Sequence, residues 1–101
     1  MTDRELDALV AEKVMGHFLM GNGFVDRQNE YVGLPNYSTS IVDAWEVVES
    51  LIKQGMYWDI RYADEWLVDL ATKKDIYYIG ADTAPRAICF AALKAVGVEV
   101  K

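Results

Sequence analysis

A chain of 101 residues has room for one domain, spanning 1–101, and buries roughly 60 to 70 % of its unfolded surface, enough for one core. A hydrophobic fraction of 52 % with 12 % aromatics excludes a disordered chain, and no run approaches the roughly 18 apolar residues of a membrane span. Sixteen acidic against ten basic residues, a formal charge of −6, exclude a binder of nucleic acid polymers, which needs a basic stripe.

The single cysteine, Cys89, has no partner for an internal disulfide, and with one histidine a Cys/His zinc site within the chain is excluded. No metal and no cofactor is expected. Charge from Asp3 onward argues against a signal peptide, so a cytoplasmic location is expected.

Thr2-Asp3-Arg4-Glu5 reads as a capping box, in which the hydroxyl and the carboxylate satisfy free amides at a helix start. Leu6, Leu9, Val10 and Val14 follow at helical spacing, up to Gly16. From His17 to Tyr37 glycines, a proline and a polar run break the pattern, leaving open a hairpin around Gly21-Asn22-Gly23 or a long ordered loop. Any of Ser38, Thr39 and Ser40 can cap the next helix, where Ile41, Trp45, Val48 and Ile52 form the predicted core stripe with Trp45 as its anchor. Gly55 stops that helix.

Three runs of period-two alternation between Met56 and Gly80 predict an antiparallel meander. A three-residue loop Tyr62-Ala63-Asp64 sets Met56, Trp58 and Ile60 opposite Leu70, Val68 and Trp66. A second, Thr72-Lys73-Lys74, sets Leu70 opposite Ile76 and Val68 opposite Tyr78. Met56, Trp58, Ile60, Trp66, Val68, Leu70, Ile76 and Tyr78 then share the apolar face. Tyr57, Asp59, Arg61, Glu65, Leu67, Asp69, Tyr77 and Ile79 share the mixed one. The last helix, Ala84 to Val96, starts after Asp82-Thr83 and is apolar almost all round, so it is either packed between the sheet and another helix or used as an oligomer interface. Val98 to Val100 reads as a frayed tail or an edge strand.

Three segments taken together resemble a known family. They are Arg4 to Gly16, then Pro35-Asn36-Tyr37-Ser38-Thr39 with Ala44-Trp45-Glu46-Val47-Val48-Glu49, and finally Asp82-Thr83-Ala84-Pro85-Arg86-Ala87-Ile88-Cys89. In that order they are similar to the phage ABA sandwich domain family of small phage and prophage proteins. The resemblance implies an α/β/α sandwich with helices on both faces of the meander, an α+β fold, and a phage or prophage origin in a bacterial host. It brings no catalytic residues.

For chemistry, the residues offer little that is catalytic. His17, Cys89 and the pair Asp59 and Asp69 are the candidates for a small hydrolase, but no local spacing brings a nucleophile to a base, and a nonenzyme is expected. For binding, Tyr57, Tyr77 and Arg61 on the mixed face could stack on a flat ring and pair with an anion. Thr83 and Arg86 at the last helix start could hold a phosphate, against which Asp82 competes. The expectation is therefore a phage accessory protein that binds, either sequestering a small host metabolite such as a signalling nucleotide or docking on a host protein. The alternative is a structural or assembly homo-oligomer formed through the last helix.

Overall fold

The computed structural model describes residues 1–20, 23–26 and 28–99. Helix α1 (Asp3–Leu9) opens on the capping box read from the sequence. The Thr2 hydroxyl accepts the Glu5 amide at 3.1 Å and the Glu5 carboxylate accepts the Thr2 amide at 3.1 Å. That amide bond, with the hydroxyl, holds the Glu5 carboxyl below the usual range. The helix widens into a π turn (Val10–Val14), which buries Val10, Ala11 and Val14 before Gly16 turns the chain at φ +70°. The next segment forms a hairpin, β1 (Phe18–Met20) with β2 (Gly23–Val25), whose turn at Gly21 and Asn22 lies outside the described residues. Among the described residues, loop backbone then runs to Ser40, with a bridge between Val25 and Tyr31.

Helix α2 (Ile41–Lys53) is capped by the Ser40 hydroxyl and ends at Gly55, φ +89°, with the Met56 amide returning to the Leu51 carbonyl. Strands β3 (Tyr57–Ala63), β4 (Glu65–Ala71) and β5 (Ile76–Ala81) form an antiparallel sheet in the order β3-β4-β5. Helix α3 (Ala84–Ala95) follows, capped by Thr83 and closed by Gly97, with the Val98 amide donating back to the Leu93 carbonyl at 2.9 Å. Val98 thus belongs to the helix stop, and Val100 lies outside the described residues.

The α+β class and the three-stranded meander are as expected, while both registers differ from the sequence reading. Between β3 and β4 the chain turns around Asp64 alone, in the left-handed region at φ +63°, so Trp58 faces Leu70 and Ile60 faces Val68. This two-residue shift leaves every side chain of β3 on its expected face. Between β4 and β5 the loop has four residues instead of three. The Thr72 hydroxyl accepts the Lys74 and Asp75 amides, and the Thr72 amide donates to the Asp75 carbonyl, which moves the pairing to Ala71 with Ile76 and Leu70 with Tyr77. A one-residue slip inverts a strand. Tyr77 and Ile79 therefore lie on the core face, and Ile76 and Tyr78 point outward, exposed.

The core lies on one side of the sheet. α3 packs along β4 and β5, α2 packs against α3 and β3, and α1 with its π turn lies on the far side of α3. Val68 and Leu70 meet Ile88, Leu93, Val47 and Leu51, all within 1 % of complete burial. Against the expected helices on both faces, the face carrying Tyr57, Asp59, Arg61, Glu65 and Tyr78 is left exposed among the described residues. The apolar circumference of α3 is enclosed by sheet and helices within the chain, the packing between sheet and helix that was the first of the two alternatives the sequence left open.

Candidate functional site

Helix α2 presents two apolar stripes, and the smaller one goes inward. Ala44, Val47, Val48 and Leu51 are buried. Ile41, Trp45 and Ile52, expected in the core, are about half exposed at 50, 48 and 51 %. The buried stripe packs against α3, whose own buried residues include Ala87, Ala91 and Ala92. The bulky residues are thereby turned toward the edge of the sheet.

There they meet β3. Trp45, Val48 and Ile52 from α2 and Met56, Tyr57, Trp58 and Ile60 from the following strand line an open groove of about 490 Å³. That size falls in the range of about 300 to 1,000 Å³ found for small-ligand sites. The lining holds no charged side chain. It can bury a flat ring or an apolar side chain, and it brings no positive charge to a phosphate. The Trp58 indole N–H, buried beneath this surface, has no acceptor. Because β3 is an outer strand of the sheet, the groove runs beside an edge whose backbone groups are unpaired among the described residues.

The residues expected to bind a nucleotide are spread over three surfaces. Tyr57 and Arg61 are on the exposed sheet face, Tyr77 is on the opposite face, and Thr83 and Arg86 are at the start of α3. Arg61 donates to Asp69 at 3.0 Å and lies 3.7 Å from Asp59, and the Asp69 hydrogen bond raises its already high pKa. Arg86 is bound to Asp3, lies 3.6 Å from Asp82 and stacks 5.2 Å from the Phe90 ring centre. The Thr83 hydroxyl caps the Arg86 amide. Each arginine is thus held between two carboxylates, an arrangement that repels an incoming anion.

The catalytic candidates are no closer to a constellation. Asp59 and Asp69 are direct cross-strand partners sharing the Arg61 guanidinium, which accounts for both. His17 Nδ1 is buried without a partner, and Cys89 is wholly enclosed, its thiol pushed up to about 12 by burial and by the Asp7 carboxylate, so the nucleophilic thiolate is absent at neutral pH. Among the described residues no three His, Cys, Asp or Glu side chains cluster to hold a metal, and no described helix is long and apolar enough to cross a membrane.

A family model described as the phage ABA sandwich domain matches residues 8–93. The chain belongs to the phage ABA sandwich domain family. The 2.0 Å crystal structure of a phage protein from Bacillus cereus ATCC 14579 is similar throughout, with a TM-score of 0.87 and 29 % sequence identity over 100 % of this chain and 93 % of that one. A search of curated proteins finds no match.

This phage ABA sandwich protein also carries a phenol that sequence reasoning passed over. Tyr37 is fully buried with no partner for its hydroxyl. Burial, then the Glu46 and Asp43 carboxylates, raise its pKa well above the usual value. A buried hydroxyl without a partner destabilises, so Tyr37→Phe is expected to be neutral or to stabilise by up to about 1 kcal/mol, read from urea denaturation. The sign of the pH effect follows from the two raised values. Above about pH 8.5 to 10 the unfolded chain loses the Cys89 and Tyr37 protons while the folded chain keeps them, so stability is full below that range and falls as pH rises. The slope approaches about 1.4 kcal/mol per pH unit for each proton retained. Tm measured from neutral to strongly alkaline pH is expected to fall less steeply in Tyr37→Phe than in wild type.

Proposed function

We propose that this member of a phage domain family acts by binding, and that it binds a protein through the edge formed by α2 and β3. The observation that carries this reading is the groove lined by Trp45, Ile52, Met56 and Trp58, an apolar surface of aromatics on an edge with unpaired backbone. Apolar anchors in a pocket beside a strand edge are one way a protein seats another, the edge supplying main-chain hydrogen bonds and the pocket supplying anchors and specificity. Sequestration of a signalling nucleotide has weaker support, because Arg61 and Arg86 are committed to carboxylates and are far apart in the fold order.

Titration of dilute protein with the uncharged dye phenylnaphthylamine, whose fluorescence rises in apolar surroundings, tests the groove. A saturable rise that disappears in Trp45→Asp is the expected result. A nucleotide panel in thermal-shift assay should be flat. A saturable rise in Tm with a nucleotide, lost in Arg61→Ala or Arg86→Ala, would replace this reading with the metabolite one.

A further inference from the structure

We infer that the occupant of the α2–β3 edge is a second copy of this chain, joined by antiparallel pairing of β3 with β3 about a two-fold axis at Ile60. This names the partner of the surface proposed above and rests on that reading.

Three features of β3 converge. It pairs with β4 residue for residue from Tyr57 to Ala63, without a bulge, so its outer edge is regular over its full length. It carries neither proline nor lysine, two of the devices by which natural edge strands discourage pairing. Its exposed face reads Asp59, Ile60 turned inward, Arg61, a short sequence that is complementary to itself. With the two-fold axis at Ile60, Asp59 faces the partner's Arg61 and Arg61 faces the partner's Asp59. Moving the axis to Asp59 or to Arg61 sets like charges directly opposite each other, which destabilises a pair of strands. Of these three registers charge favours the one centred on Ile60.

The groove gives the association its apolar component. In this register the sheets join into one of six strands, three from each copy, and the two α2 helices flank the seam on the same face. Trp45 and Ile52, which line the groove toward β3, then face the seam from both sides. The net charge of −6 on each copy opposes association, although salt screens it over about 8 Å at physiological strength, so apolar contact has to provide the attraction. Two grooves that reach the other outer strand, β5, carry charged side chains instead, Arg61, Glu65 and Asp69 in one and Lys73, Lys74 and Asp75 in the other. The hairpin also exposes Phe18, Leu19 and Met20, and nothing in the structure indicates what would cover them.

The test exploits Asp59, which faces Asp69 within the chain and Arg61 across the seam. Asp59→Arg gives Asp69 an opposite charge as neighbour while losing the 3.7 Å approach of Asp59 to Arg61, two exposed effects of opposite sign, so the monomer should keep a Tm close to that of wild type. Across the axis it sets arginines against each other twice. Sedimentation equilibrium of the full chain should show a dimer for wild type and a dissociation constant raised about ten-fold or more for Asp59→Arg, with a similar Tm extrapolated to low concentration. Arg61→Asp should likewise self-associate weakly, and an equimolar mixture of the two variants should recover the dimer, because each opposes the other's charges. A wild type monomeric at the highest soluble concentration would overturn the proposal, as would a dimer that is indifferent to Asp59→Arg and is broken by Phe18→Asp. Should wild type be monomeric while the dye still enters the Trp45 groove, the binding surface stands and the second copy is rejected. Loss of both signals rejects the surface itself.

Discussion

Replacing Leu93 by alanine is expected to cost about 3 kcal/mol, and to lower Tm by roughly 10 to 25 °C for a domain of this size. Leu93 has no solvent exposure and sits in α3, the one helix in contact with β4, β5, α2 and the π turn of α1. Removing its branched end leaves a cavity that none of these elements can close without moving away from another. The contrast that makes the result specific is Trp45→Ala. Although tryptophan is the larger side chain, Trp45 is about half exposed, so its truncation should cost about 1 kcal/mol or less. Urea denaturation of both variants measures this directly. A larger loss for Trp45 than for Leu93 would place the tryptophan in the core, as the helical spacing alone suggested.

The second large effect is expected at Asp7, a buried carboxylate that fastens α1 to the segment before α2. It accepts the buried Ser38 amide at 2.7 Å and the Arg4 guanidinium at 2.9 Å. Arg4 in turn donates to Asn36 Oδ1 and to the Leu34 carbonyl, the Ser38 hydroxyl donates to the Asp3 carbonyl, and the Asn36 amide donates to Asp43. These bonds give an otherwise irregular stretch a fixed path, and with it the position of the Ser40 cap. Asp7→Ala strands the Ser38 amide in the interior and removes a charged acceptor, for an expected loss of about 2 to 3 kcal/mol. Because Arg4 is half exposed, water can take over its side of the pair, which keeps the loss below that of a fully buried ion pair. Asp7→Asn keeps an acceptor for Ser38 and should lose clearly less. Equal losses in the two variants would mean that the charge on Asp7, and not the hydrogen bond to Ser38, holds the segment.

Much of the scaffold was legible because its signals are local. The Thr2 and Glu5 capping box, a cap among Ser38, Thr39 and Ser40, capping oxygens at Asp82-Thr83 and the stops at Gly16, Gly55 and Gly97 each depend on residues within a turn of one another, and the structure has them, with Ser40 and Thr83 as the caps. The meander was legible too, since alternation requires no knowledge of partners. Its second register was not. Thr72 adds a residue to the loop by accepting two amides, and this one side chain turns Tyr77 inward and so dissolves the aromatic pair with Tyr57 that the expected ligand platform needed. The first register shifted by two residues at Asp64, which left the faces intact.

The groove was hidden for a different reason. Helix α2 carries two stripes of equal periodicity, and its packing on α3, distant in sequence, takes Ala44 and Val47 inward while Trp45 and Ile52 stay out. The buried Asp7 escaped notice likewise, because a carboxylate at helical spacing reads as solvated until Ser38 and Arg4 close over it. Partners separated by some thirty residues leave no local pattern.

The exposed edge of β3, with the groove beside it, is the surface through which this protein is taken to act. Amide hydrogen exchange followed by mass spectrometry at low and at high protein concentration tests it most directly. The account predicts that exchange within Tyr57–Ala63 slows as concentration rises, with Ile76–Ala81 on the opposite edge unchanged, because only β3 acquires a strand to pair with. Exchange in β3 that does not depend on concentration, with protection appearing instead at Phe18–Met20 or in β5, would contradict it.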